Sequence, residues 1–217
     1  MSIDSPVSAR GLFIVFEGGD GAGKSTQVQR TKAWLEARGA NVLTTREPGG
    51  TQISEELRAL VLEHGHGEVD ARTEALMYAA ARAAHVQQVI IPALESGTHV
   101  ICDRFVDSSL AYQGVGRGLG IEAVAAINNF ATGGLVPDAT VLLDISAADG
   151  RARRIAATGG VEESDRLESE PDEFHERIRS AFHDLASRAP QRYLVIDAAQ
   201  GVEALQQQIT GHLAGLL

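Results

Sequence analysis

Several short runs of polar residues in this chain have the types and spacing of phosphate chemistry. In Gly18-Gly19-Asp20-Gly21-Ala22-Gly23-Lys24-Ser25-Thr26, Gly18 and Gly23 bracket four residues and are followed by lysine and serine, which fits G-x-x-x-x-G-K-[ST]. Glycines let the backbone curl until several N–H groups point at one phosphate, and a helix starting near Lys24 adds its positive dipole end. Lys24 can then reach the β and γ oxygens of a nucleoside triphosphate, and the Ser25 hydroxyl can ligate Mg²⁺. On this spacing alone both ATP and GTP are open. Asp103 closes the apolar run Thr98 to Asp103, where a strand-ending acid can hold Mg²⁺ or simply cap a turn. Arg46, Arg82, Arg104 and the group Arg151, Arg153, Arg154 and Arg166 are candidates to neutralise charge during phosphoryl transfer. Tyr78 and Arg82 stand four apart on a helical pattern, as a core tyrosine with a surface arginine or as a pair able to stack on a base. His64 and His66 lack further ligands nearby and read as a solvated loop.

The elements that must position these residues alternate. The run LFIVF before Gly18 is a strand, and Lys24 to Arg38 is a helix with Val28, Trp34 and Leu35 toward one side and Gln27, Lys32 and Glu36 toward water. Ala40 to Thr45 is a strand that leaves Arg46 at its end, before the turn Pro48-Gly49-Gly50. Gln52 to Glu63 is helical, with Ile53, Leu57, Leu60 and Val61 on one side. Ala71 to Glu95 is a long helical pattern carrying Leu76, Ala79, Ala83, Val86 and Ile90, bent or ended by Pro92. Phe105 to Gly120 is a glycine-punctuated segment holding Ser108, Ser109, Tyr112, Gln113 and Arg117. Helices over Ile121 to Ala131, Phe174 to Ala186 and from Val202 flank strands Ala139 to Ile145 and Arg192 to Asp197. The result is an α/β fold with a five-stranded parallel sheet, helices on both faces and right-handed crossovers. Residues 149–173, arginine-rich around Gly159-Gly160 and poor in large apolar groups, read as a mobile lid or as a surface helix and loop.

The 217 residues suit a single domain at 11–217 behind a loose N-terminus at 1–10. A formal charge of −10 disfavours broad nucleic-acid or anionic-membrane binding. The single cysteine, Cys102, sits in an apolar run and suits a reducing cytosol, and no apolar run has membrane-spanning length. A cytoplasmic protein is expected. There is no N-K-x-D, and the only D-x-x-G lies inside the glycine loop, which argues against a GTP-driven switch.

Taken together, FEGGDGAGKST, TREPGGT, EALMYAAAR, CDRFVDSSLAYQG, DRLE and VIDAAQ resemble, in order from Leu12 onward, bacterial thymidylate kinase. The resemblance implies a P-loop NTPase fold, phosphorylation of dTMP to dTDP with ATP and Mg²⁺, and a homodimer formed by helix packing. It implies that residues 18–26 bind ATP, and that Ser25 and Asp103 hold the metal. For dTMP it implies Asp20 at the 3′-hydroxyl, Arg46 and Arg104 at the phosphate, Tyr78 stacked on the base, Arg82 bonded to it, Ser109 and Gln113 beside it, and Tyr112 near C2′. Asp20-Gly21-Ala22 contains no arginine, which is similar to the variant whose catalytic arginine comes from the lid. Arg154 and Arg166, with Lys24 and Arg104, are then the expected catalytic residues, and Arg151 and Arg153 are rivals. A kinase of another nucleoside monophosphate or of a deoxynucleoside, and a regulatory ATP-binding protein, are the alternatives.

Overall fold

The computed structural model describes residues 10–157, 159 and 165–217. Five strands, β1 (Phe13–Gly18), β2 (Val42–Arg46), β3 (His99–Asp103), β4 (Ala139–Asp144) and β5 (Tyr193–Asp197), form one parallel sheet in the order β2-β3-β1-β4-β5. Every residue of β1 is buried, as expected of a central parallel strand covered on both faces. Phe13 and Val15 face one apolar layer, with Cys102 and Phe105; Ile14 and Phe16 face the other, with Val28, Leu35 and Ile209. All five strands point the same way, so the ends of β1, β2 and β3 gather the loops that carry the polar clusters.

The helices are α1 (Lys24–Glu36), α2 (Gln52–Leu62), α3 (Ala71–His85), α4 (Ile91–Glu95), α5 (Val106–Ser109), α6 (Ile121–Thr132), α7 (Ala147–Ala157), α8 (Asp172–Arg188) and α9 (Val202–Leu213). A π turn, Val86–Ile90, joins α3 to α4, and Pro92 falls in the first turn of α4, where its missing N–H costs little. The expected long helix therefore continues past Pro92 by widening just before it. A second π segment, Leu110–Gly116, extends α5. The stretch read as glycine-punctuated is thus largely helical, and its wide turns carry Tyr112 and Gln113.

Several side-chain placements differ from the sequence pattern. Gln27, expected in water, is buried because its Nε2 donates to the Val202 carbonyl at 3.0 Å, where α9 crosses α1. Leu76, expected on the core side of α3, is 56% exposed, and Ile53 and Leu60 of α2 are also exposed. The polar spine of α3, Glu74, Arg82 and His85, is buried instead. His64 and His66 lie in an exposed loop, and among the described residues no group of three His, Cys, Asp or Glu could hold a metal. Cys102 is buried, and burial raises its thiol pKa well above the usual range. The stretch read as a lid is α7, a turn at residues 165–169 and the start of α8; Gly160 and residues 161–164, like residues 1–9, lie outside the described part.

Candidate active site

Two clefts meet above the ends of β1, β2 and β3. One encloses about 630 Å³ and is lined by Tyr78, Arg82, Ser108, Ser109, Tyr112, Gln113, Asp165 and Leu167. The other, of about 1090 Å³, is lined by Gly21, Gly23, Lys24, Ser25, Thr26, Arg46, Asp103, Arg153 and Arg154. Asp20, Glu47, Arg58, Arg104 and Glu168 line both.

The second cleft is built on the loop between β1 and α1. Lys24 opens α1 and folds back, donating from Nζ to the carbonyls of Gly18 at 3.1 Å and Gly19 at 2.9 Å. Burial, and then Arg104, lower its pKa, against the pull of Asp103, Asp20 and Glu17. Gly21 has φ +81°, and a Cβ there would lie 2.2 Å from the Gly150 carbonyl of α7. A Cβ on Gly150 would lie 2.4 Å from the Asp20 carbonyl, so the loop and α7 touch backbone to backbone. Only glycine allows that approach.

At the end of β3, Asp103 brings Oδ2 to 3.4 Å from Ser25 Oγ, while its Oδ1 is buried with no hydrogen bond among the described residues. Arg104 follows with φ 67°, unusual for a residue with a side chain. That turn aims its guanidinium at the junction: Nη2 donates to Asp20 Oδ1 at 2.5 Å, Nη1 to Ser108 Oγ at 3.2 Å, and the cation lies 5.4 Å from the Tyr112 ring centre. Burial alone would raise the Asp20 pKa, but Arg104 and Lys24 hold it well below the usual carboxylate range. The Tyr112 hydroxyl donates to Asp20 Oδ2 at 3.5 Å. Beneath them Glu17 is fully buried, accepting from the N–H groups of Phe105 and Ser108 and from the Ser108 hydroxyl. Burial, followed by the nearby Asp107, pushes its pKa up to about 7.

In the first cleft Tyr78 is buried, and its hydroxyl makes no hydrogen bond among the described residues. Arg82 donates from Nε to Glu47 Oε2 at 2.5 Å, from Nη1 to Ser109 Oγ and Asn128 Oδ1, and from Nη2 to the Phe105 carbonyl at 3.1 Å. Glu47 is also held by His85 Nδ1 at 3.0 Å, whose Nε2 meets Thr45 Oγ1 at 2.7 Å. This buried network joins the end of β2 to α3 and α6.

The sequence-expected residues separate into groups. Gly21, Gly23, Lys24, Ser25, Thr26, Asp103 and Arg154 share the phosphate-loop cleft, whereas Gly18, Gly19 and Ala22 line neither cleft; Tyr78, Arg82, Ser109, Tyr112 and Gln113 share the other; Asp20 and Arg104 line both. Arg46 lies on the loop side, its guanidinium paired two-fold with Glu55 at 2.9 and 3.0 Å. Arg154 pairs with Glu168 at 3.1 Å. Arg166 is turned away: it donates to the Val61 carbonyl at 3.0 Å and pairs with buried Glu74, lining neither cleft. Arg151 pairs with Asp172, and Arg153 donates to the Ala198 carbonyl. Glu47, Arg58, Asn128 and Glu168 were not singled out. Glu47 carries a signal, its place beside Arg46 before Pro48, whereas Asn128 is one polar residue in an ordinary helix.

A sequence model of the thymidylate kinase family matches residues 16–209. The chain is 49% identical over 207 residues to the thymidylate kinase of Cutibacterium acnes, covering 95% of this chain and 98% of that one. To the thymidylate kinase of Pelotomaculum thermopropionicum it is 51% identical over 191 residues, 88% of this chain and 87% of the other. The crystal structure of thymidylate kinase from Ehrlichia chaffeensis superposes with a TM-score of 0.75 at 31% identity, covering 94% of this chain and 99% of that chain. With a family model matched over most of its length and relatives about half identical along nearly the whole chain, the chain belongs to the thymidylate kinase family.

Proposed function

We propose that this chain phosphorylates dTMP to dTDP with ATP, a step in dTTP synthesis. The observation that carries this reading is the pair of clefts sharing Asp20 and Arg104, one framed by a phosphate loop and the other by a buried tyrosine and polar side chains. The triphosphate lies on residues 18–26, with Lys24 released from its own loop carbonyls to the phosphate oxygens. dTMP enters the Tyr78 cleft, its base against that ring. Arg82 uses four of its N–H groups within the protein and has about one of five left for a base carbonyl. Ser109 and Gln113 lie beside the base, Asp20 accepts from the 3′-hydroxyl, and Tyr112 occupies the space beside C2′. Arg104 and Arg46 hold the acceptor phosphate.

A phosphate oxygen of dTMP attacks the γ phosphorus in line, and the bond to the β–γ bridging oxygen breaks to give ADP. A phosphate monoester is already nucleophilic, so Lys24, Arg104 and Arg154 act by offsetting charge on the transferring group. Ser25 Oγ and the unpartnered Asp103 Oδ1 fit a hard divalent cation, and they are the residues that would hold Mg²⁺. When bound, Mg²⁺ neutralises phosphate charge there. Helix α7 and the turn at residues 165–169 act as the lid, which holds Arg154 in the phosphate-loop cleft and so disfavours transfer to water.

Helices α2, α3 and α6 pack side by side and leave Ile53, Leu60, Leu76 and Phe130 exposed, the last by 92%. A second copy of the chain covers this apolar face; light scattering should give twice 23.0 kDa, and Leu76→Arg should return the monomer. Among the described residues no helix is long and apolar enough to cross a membrane, and a cytoplasmic location is proposed from buried, unpaired Cys102. ADP release coupled to a reporter, with dTMP, dUMP, dCMP, UMP or no acceptor, tests the reaction. Fast release with dTMP and negligible release with UMP supports it. Preference for another monophosphate would remove the base and sugar roles, and release without acceptor would remove the kinase reading.

A further inference from the structure

Glu74 of α3 lines neither cleft, yet it is fully buried and surrounded by donors. Its Oε1 accepts from Gln113 Nε2 at 2.9 Å and Arg117 Nε at 3.3 Å, and its Oε2 pairs with Arg117 Nη2 at 3.2 Å and with Arg166. Gln113 is 1% exposed and lines the Tyr78 cleft. The two ends of an amide are nearly the same shape, so packing alone does not decide whether oxygen or nitrogen faces a ligand. A carboxylate between two guanidinium groups only accepts. Glu74 therefore draws Nε2 to itself and leaves Gln113 Oε1, which has no hydrogen bond among the described residues, as the atom offered to the cleft. Arg82, which lines the same cleft, has one N–H left over, so Gln113 and Arg82 together offer one acceptor and one donor. A ring edge with an N–H beside a carbonyl matches that set. Cytosine presents the reverse at both atoms: a bare ring nitrogen and an amino group.

We propose that Glu74 is the positioning residue for base selection, acting by fixing the Gln113 amide so that it rejects a cytosine edge. This role rests on the assignment of the Tyr78 cleft to the base. Arg166 and Arg117 hold the carboxylate in place; Arg166 comes from the same turn as Asp165, Leu167 and Glu168, which line the cleft.

The test is kcat/KM with dTMP and with dCMP for the wild type, Glu74→Gln, Gln113→Leu and the exchanged pair Glu74→Gln/Gln113→Glu, with a thermal midpoint for each. An amide at position 74 can donate as well as accept and so releases the orientation of Gln113. The dTMP:dCMP ratio should then fall about tenfold to a hundredfold, mainly through a higher dTMP KM. In the exchanged pair the amide at 74 donates to a carboxylate at 113 whose second oxygen faces the cleft, so the ratio should recover. An unchanged ratio in Glu74→Gln, with a collapsed one in Gln113→Leu, overturns the role of Glu74 and leaves the base pocket standing. Loss without recovery in the exchanged pair also overturns it, and that pair decides alone if Glu74→Gln does not fold. An unchanged ratio in Gln113→Leu removes the base assignment and the proposal with it.

Discussion

Arg104 Nη2 donates to Asp20 Oδ1 at 2.5 Å, and this one ion pair ties the turn after β3 to the loop after β1 at the wall common to both clefts. Arg104→Ala removes a positive charge from the wall common to both clefts and leaves Asp20 with Lys24, 3.9 Å away, as its remaining ion-pair partner among the described residues. We expect kcat/KM to fall by about 10²–10³, with a lower thermal midpoint, as read by steady-state kinetics and calorimetry.

Arg154 and Arg166 should separate by readout. Arg154→Ala acts at the phosphate-loop cleft and should lower kcat by about 10², leaving the urea midpoint nearly unchanged. Arg166→Ala leaves buried Glu74 with one cation fewer and should cost about 1–3 kcal/mol of stability, with a smaller effect on kcat. A reversed pattern would move the catalytic role to Arg166.

Glu17 gives a pH dependence of defined sign. Its pKa is raised from 4.5 to about 7 in the folded protein, so between those values the native state holds a proton that the unfolded chain has released. Its contribution to stability therefore falls as pH rises across this window, by about 3 kcal/mol in total, and is flat above it. Glu17→Gln should remove that slope. Urea midpoints for both proteins from pH 5 to 8 check it: their difference should grow with pH in favour of the variant.

Asp103→Asn keeps the side-chain shape but removes a negative charge beside Ser25. The Mg²⁺ concentration for half-maximal turnover should rise by about tenfold or more, whereas dTMP binding without ATP, followed by calorimetry, should be unaffected.

The five parallel strands and the loop residues were legible because glycine spacing and unbroken apolar runs are local properties; the order β2-β3-β1-β4-β5 was not. The partners of buried polar groups were not. Gln27 sits on a helix surface by periodicity, and only the arrival of the Val202 carbonyl from α9 makes it interior. Arg166 stands among arginines that suit phosphate, but Glu74, 92 residues earlier, determines where it points. The helical character of 106–116 was hidden by glycines that a π segment accommodates. Leu76 fits a core face until Glu74 and Arg82 are seen to take the interior.

The contact between Gly21 and Gly150 has a mechanical consequence. Side chains absorb small displacements by changing rotamer; two peptide planes in contact have no such slack. Any shift of the loop on taking up a triphosphate is passed as a rigid push to the first turn of α7, three residues before Arg153 and four before Arg154. A loop displaced by an occupant would carry that helix, and the arginines on it, along with it.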